Sequence, residues 1–287
     1  MATAARELKH PRHFSVGAVL LYIGLLIGAV VTLMPIVYMF TRAFMPENEQ
    51  MVWPIRWLPQ SPTLDNFQRI LVDPTLPVFR WLLNSFFVAT AVTVLVLFVC
   101  SLTAYAYARL EFPGRDVIFF LLLTSLMVPG AVTFIPNFLL MRDLGWLDSS
   151  HGLIWIHGAS VFGIFLLRQH FQSIPKELED AAFVDGAGRF RIYWQICLPL
   201  VTSAMVALGI FTFLGNWNDL FWPLVIMSDR TKLTLPVGLA MLGGGNYVQR
   251  GLTMAAAALA TTPPLILYAI FQRRIIAGIT LTGMGGR

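Results

Sequence analysis

The chain has 287 residues, 57% of them hydrophobic and only 12% charged, with a formal charge of +5, a pI near 9.5 and a mean hydropathy of +0.71. Soluble domains carry about 45–50% apolar and about 25% charged residues, so a soluble enzyme with a large core is excluded. The positive charge fits membrane topology better than nucleic-acid binding, and the two distant cysteines, Cys100 and Cys197, give neither a disulfide framework nor metal-ligand spacing.

Arg6, Lys9 and Arg12 precede a long apolar run. That run exceeds the ~7–15 residues of a signal-peptide core and no A-x-A-like cleavage site closes it, so 16–44 reads as a retained spanning helix. Five more apolar blocks follow at 82–108, 116–141, 151–173, 198–227 and 252–276. Each reaches the ~20 residues that cross a ~30 Å hydrocarbon core. The expectation is an all-α membrane protein, one domain over 1–287, with six transmembrane helices and both termini on one side.

The first outer loop, 45–80, carries Trp53, Pro54, Trp57, Leu58 and Pro59, suited either to the lipid headgroup level or to binding. After Pro62, Thr63 or Asp65 is placed to cap a short helix. Pro35, Pro129, Pro136, Pro223, Pro263 and Pro264 fall inside predicted spans and imply kinked helices. With the N-terminus inside, twelve of the 20 lysines and arginines lie in inner segments and eight in outer ones, which puts both termini in the cytoplasm.

A polar stretch, 174–197, interrupts the apolar pattern. Pro175 suits a first helical turn, and Glu177, Glu179 and Asp180 lie at the favourable end of the helix dipole. Leu178, Ala181, Ala182 and Asp185 fall at i, i+3, i+4 and i+7, with small alanines that permit close approach. Gly186 is placed to end the helix in a left-handed conformation. Arg189 to Trp194 begin a second amphipathic piece, and Pro199 opens the fifth span. Such a segment is built to touch something outside the membrane.

Asn216, Trp217, Asn218, Asp219 and Trp222 are the most polar cluster within a predicted span. Intramembrane Asp and Asn face a cavity or a partner. Aromatics beside amides suit sugars, while a helix–helix hydrogen-bond cluster or an interfacial tryptophan belt fits equally. Asn84 and Asn137 suit interhelical contacts. The last outer loop is read as 239–247 and ends Gly243, Gly244, Gly245, Asn246, Tyr247, a tight mobile tip or a plain flexible turn. No Gly-Lys pair exists, hence no phosphate-cradling loop, and no nucleophile elbow or catalytic carboxylate pair is visible. The five histidines are scattered without metal spacing.

Asp180-Ala181-Ala182, Asp185-Gly186-Ala187, Ile196 and Leu198-Pro199 resemble the "EAA" signature of importer permeases in the ATP-binding cassette (ABC) superfamily, with Asp180 where Glu is usual. Residues 62–67, 81–85, 217–224 and 283–287 are similar to segments of carbohydrate-type permeases, the last to the tail of the maltose-type second permease. The resemblance covers nearly the whole chain and implies the type I importer fold. It makes 174–197 the coupling-helix loop, with Glu179, Asp180, Ala181, Ala182, Asp185, Gly186 and Arg189 serving the ATPase contact. It implies half of a pathway for a sugar, oligosaccharide or glycerol-phosphate-like solute. The implied partners are a second permease, two ATPase subunits that hold ATP and Mg²⁺, and an extracytoplasmic binding protein touched by the 243–247 tip. The implied location is a bacterial or archaeal cytoplasmic membrane. The alternative, a secondary transporter or channel driven by an ion gradient, tends to show internal repeats and midplane ionisable groups. No repeat is visible here, and Asp219 is the one acid deep in a predicted span.

Overall fold

The structure, a computed structural model, describes residues 16–73, 75–243 and 249–283, with side chains through Gln272. All regular elements among the described residues are helical. α1 (Val16–Ala43) is apolar all round and almost wholly exposed, which suits a helix bathed in lipid. It packs along α14 (Arg250–Gly283), and Pro35 lies within it.

The loop after α1 is pinned by polar groups. The buried Arg42 guanidinium donates to the Gln50 carbonyl at 2.6 Å, and the Gln50 amide donates back to the carbonyls of Arg42 and Met45 at 2.9 Å. The Glu49 carboxylate accepts from the backbone N–H groups of Gln60 and Ser61. Glu47 accepts from Arg250 and Gly251, satisfying donors that the first turn of α14 leaves free. Thr63 Oγ1 accepts from the Asp65 N–H at 3.1 Å where α2 (Asp65–Val72) begins.

α3 (Val78–Arg109) is the central helix. Val78, Trp81, Ser85, Val88, Ala89, Val92, Val96, Cys100, Ala104 and Tyr105 recur at helical spacing and are buried, mainly against the helices Val161–Gln172 and Thr202–Trp217. At its N-terminal end Trp81 Nε1 donates to the Arg230 carbonyl at 2.6 Å, and the Asn84 amide donates to the carbonyls of Thr231 and Leu233. Ser85 Oγ accepts from the Leu235 N–H at 2.8 Å. Three polar groups on adjacent turns thus hold the segment leading into α13 (Leu235–Gly243).

Among the described residues, three helices are long and apolar enough to cross a membrane, α1, α3 and the described part of α14, and the number rises to six if each of three bent pairs is one span. Within the third predicted span, α4 (Arg115–Ser125) and α5 (Gly130–Asp143) meet at 98°. Pro129 lies between them, and the residue before a proline is steered out of the helical region. Within the fourth, α6 (Ser150–Ile154) and a 3₁₀ turn (Trp155–His157) lead into α7 (Val161–Gln172) with a 43° bend. There Ser160 caps α7 by accepting from the Gly163 N–H at 3.1 Å. α8 (Glu177–Val184) and α9 (Arg189–Ile192) follow, then a π turn (Tyr193–Cys197) and α10 (Leu198–Leu200). These lead into α11 (Thr202–Trp217) at 76°. The fifth block breaks again before α12 (Phe221–Ile226). Pro129 and Pro223 therefore do not kink continuous helices: one precedes α5 and the other sits in the first turn of α12.

Beside this break, the Asp148 carboxylate accepts from the N–H groups of Asp229 and Ser228, and Lys232 sits 3.3 Å from it. The Asp229 N–H first, then the Ser228 N–H and the lysine, hold the Asp148 carboxyl below its usual range.

Candidate coupling surface and translocation cavity

α8 has an inner and an outer face. Glu179 and Ala182, three residues apart, are buried, whereas Asp180, Ala181, Val184 and Asp185 are exposed, Val184 to 88%. The two alanines therefore do not share the outward face that their spacing suggested. Ala181 points out, and Ala182 seats α8 on the body of the protein. Glu179 is likewise no surface residue: its side chain is 7% exposed and its Oε1 lies 2.7 Å from Arg109 Nε, at the C-terminal end of α3. The carbonyl of Ile174 also accepts from Arg109.

Gly186 has φ +79° and ends α8 as its position predicts. Its N–H donates to Phe183 O at 3.0 Å, and the Ala187 N–H donates to Ala182 O at 2.9 Å, the paired bonds of a Schellman turn. The Arg189 guanidinium folds back over the Phe183 ring at 4.6 Å, joining α9 to α8. Leu178, Val184, Phe190 and Trp194 remain exposed around the turn, so the stretch offers an apolar ridge flanked by Asp180 and Asp185.

The second feature is a cavity of about 750 Å³ next to the helix breaks. α5 contributes Gly130, Thr133, Phe134 and Asn137; the 3₁₀ turn contributes Ile156 and His157; α11, the break after it and α12 contribute Asn216, Asp219, Phe221 and Trp222. Irregular backbone at membrane depth is tolerated where it lines such a space. Asp219 Oδ1 accepts from the N–H groups of Phe221 (3.1 Å) and Trp222 (3.3 Å), capping α12. Its other oxygen lies 3.9 Å from His157 Nε2. The Phe134 ring meets Phe221 at 4.9 Å and Trp222 edge-on at 5.8 Å.

The predicted polar cluster divides accordingly. Asn216, Asp219 and Trp222 line the cavity. Trp217 is buried and donates from Nε1 to the Ala260 carbonyl at 3.0 Å, a helix–helix bond. The exposed Asn218 amide bonds back to Leu214. Asn137, taken from sequence as interhelical, lines the cavity instead, while Asn84 does bind across elements. His157 escaped attention because one histidine in an apolar run carries no spacing signal. The 243–247 tip is only partly described: Gly243 closes α13, so 239–243 are helical, and Gly244, Gly245, Asn246 and Tyr247 lie outside the described residues.

Residues 98–280 match the family described as binding-protein-dependent transport system inner membrane component. The arabinooligosaccharides transport system permease protein AraQ of Halalkalibacterium halodurans is 34% identical over 93% of this chain and 96% of its own. The sn-glycerol-3-phosphate transport system permease protein UgpE of Yersinia pestis is 34% identical over 90% of this chain and 94% of its own. A chain in the crystal structure of a bacterial ABC transporter involved in import of the acidic polysaccharide alginate superposes with a TM-score of 0.80 at 26% identity, covering 92% of this chain and 98% of that one. These matches disfavour an ion-gradient-driven carrier. The chain belongs to the binding-protein-dependent transport system inner membrane component family, and is the multi-pass permease subunit of an ABC importer, a transport subunit rather than an enzyme.

Proposed function

We propose that this permease forms half of the pathway for a sugar, an oligosaccharide or a glycerol-phosphate-like solute, driven by ATPase subunits that dock on the outer face of α8. The observation that carries the reading is the exposed ridge on α8, with Asp180 and Ala181 outward and a left-handed turn at Gly186. A second, similar permease completes the pathway. ATP and Mg²⁺ bind in the ATPases, and an extracytoplasmic binding protein delivers solute at the opposite end. The excess of lysine and arginine in the segments assigned inside supports cytoplasmic termini in a bacterial or archaeal cytoplasmic membrane. The arabinooligosaccharide and glycerol-phosphate relatives support the solute class.

Reversing the exposed charge, Asp180→Arg, is expected to strip the ATPase subunits from the affinity-purified importer while the second permease stays attached. Full retention of the ATPases with normal uptake would remove α8 from the docking surface.

The cavity supplies the solute contact. Aromatic faces at Phe134, Phe221 and Trp222 suit the apolar faces of sugar rings, and Asn137, His157, Asn216 and Asp219 supply hydroxyl partners. An Asn137→Leu, Asn216→Leu double variant is expected to slow uptake by about tenfold, since each lost solute hydrogen bond costs roughly 0.5–1.5 kcal/mol. Basal ATPase activity stays unchanged. Wild-type uptake by this variant in proteoliposomes would place the pathway elsewhere.

A further inference from the structure

α3 presents Ser101, Tyr105 and Arg109 at intervals of four, so the three share one face. Each touches a different part of the 174–197 segment. Ser101 Oγ and Tyr193 Oη are 2.8 Å apart. Tyr105 Oη donates a long 3.5 Å bond to the Arg189 carbonyl, and its ring packs on Phe171 and Tyr193. Arg109 pairs with Glu179 and also donates to the Ile174 carbonyl. The loop is therefore gripped at its start, at the inner face of α8, at α9 and at the π turn, all by the last turns of one helix.

The charged pair stands out within this grip. Both side chains are nearly sealed from solvent, 5% and 7% exposed. Attachment alone does not call for ions here: a well-packed apolar pair of similar volume holds buried surfaces at least as firmly, without the desolvation cost. What an apolar contact lacks is direction. A guanidinium held between a carboxylate 2.7 Å from its Nε and a backbone carbonyl that accepts from its other end resists sliding, because moving away from either leaves a buried charge unpaired.

We propose that Arg109 and Glu179 form the pin through which movement of α8 is handed to α3, so that Glu179 is a positioning residue acting inside this chain while its neighbour Asp180 faces the ATPase. The inference rests on α8 being the docking surface. α3 is the receiver because it is unbroken from Val78 to Arg109 and packs on both α7 and α11. Helices interrupted by 43° to 98° bends take up displacement at the bends; a continuous one carries it along its length.

The test uses the complete importer in proteoliposomes with its binding protein, carrying Glu179→Gln, Arg109→Gln or both. Each single change is expected to leave the amount of assembled complex and its bound ATPases unchanged. Solute moved per ATP hydrolysed falls by more than about tenfold, and the double variant is no worse than the poorer single, the non-additivity of directly interacting groups. A purely structural role would lower the amount of complex and leave that ratio alone. Wild-type ratios in the singles, or effects that multiply in the double, overturn the proposal. If a Gln variant fails to assemble, Glu179→Asp and Arg109→Lys serve instead, and unchanged ratios there overturn it equally. Shedding of the ATPases by Glu179→Gln, as expected of Asp180→Arg, would make Glu179 a partner contact; the pin then falls while the docking surface stands. Retention of ATPases and uptake by Asp180→Arg would instead defeat the docking surface itself.

Discussion

Gly186→Val is expected to insert into the membrane and join its partners yet lose most solute uptake, with ATP hydrolysis no longer responsive to loaded binding protein. The cause is backbone conformation, not bulk. An ideal Cβ at Gly186 meets no atom within 4 Å, but φ is +79°. An L-residue in that region costs about 1–2 kcal/mol, and a β-branched one more. The turn escapes the strain by unwinding, and the bonds from Gly186 to Phe183 and from Ala187 to Ala182 are lost with it. α8 then loses its defined end and its angle to α9. A graded series separates conformation from size: Gly186→Asn retains most uptake because Asn tolerates the left-handed region, and Gly186→Ala falls between. Normal coupled transport by Gly186→Val would show that the turn is not needed for transmission.

Gly238→Ala is expected to have the largest effect on stability. Gly238 lies in α13 against the face of Trp81, and a methyl group there would overlap the ring. Trp81 is 1% exposed, and its indole N–H is committed to the Arg230 carbonyl, so the ring cannot swing aside without breaking that bond. Asn84 and Ser85 hold the same segment from the next turn. Overpacking of such a site costs roughly 1–3 kcal/mol, and here the strained neighbours are themselves hydrogen-bonded. The melting temperature of the detergent-purified importer should fall by several degrees, with less chain in the membrane. An unchanged melting curve would mean that α13 shifts freely on α3.

What was legible in the sequence follows from which forces are local. α1, α3 and the described part of α14 were readable because lipid burial demands long apolar runs. The chain writes that demand residue by residue. The breaks were not readable because they depend on caps and neighbours. Asp219 looked like a costly acid in a span, and its cost disappears once it caps α12. Ser160 looked like any serine and caps α7. The left-handed end at Gly186 was readable, since only a glycine suits it at no cost. The facing of α8 was not: helical spacing groups Leu178, Ala181, Ala182 and Asp185, but the buried partner of Glu179 turns the helix so that Ala182 points inward. Arg109 lies just past the predicted 82–108 span, where a basic residue is ordinary. Its ion pair joins residues 70 positions apart, which no local pattern announces.

The continuity of α3 has a geometric consequence. At 1.5 Å per residue its 32 residues span ~48 Å. A rod held mid-length and rocked by ~5° sends its two tips ~2 Å in opposite directions. One tip carries Arg109 and the other Trp81, Asn84 and Ser85, so under such rocking a push at one membrane face would arrive at the other as a movement of opposite sign. A see-saw of this kind narrows one end of a channel as it widens the other, with no separate gate required at each.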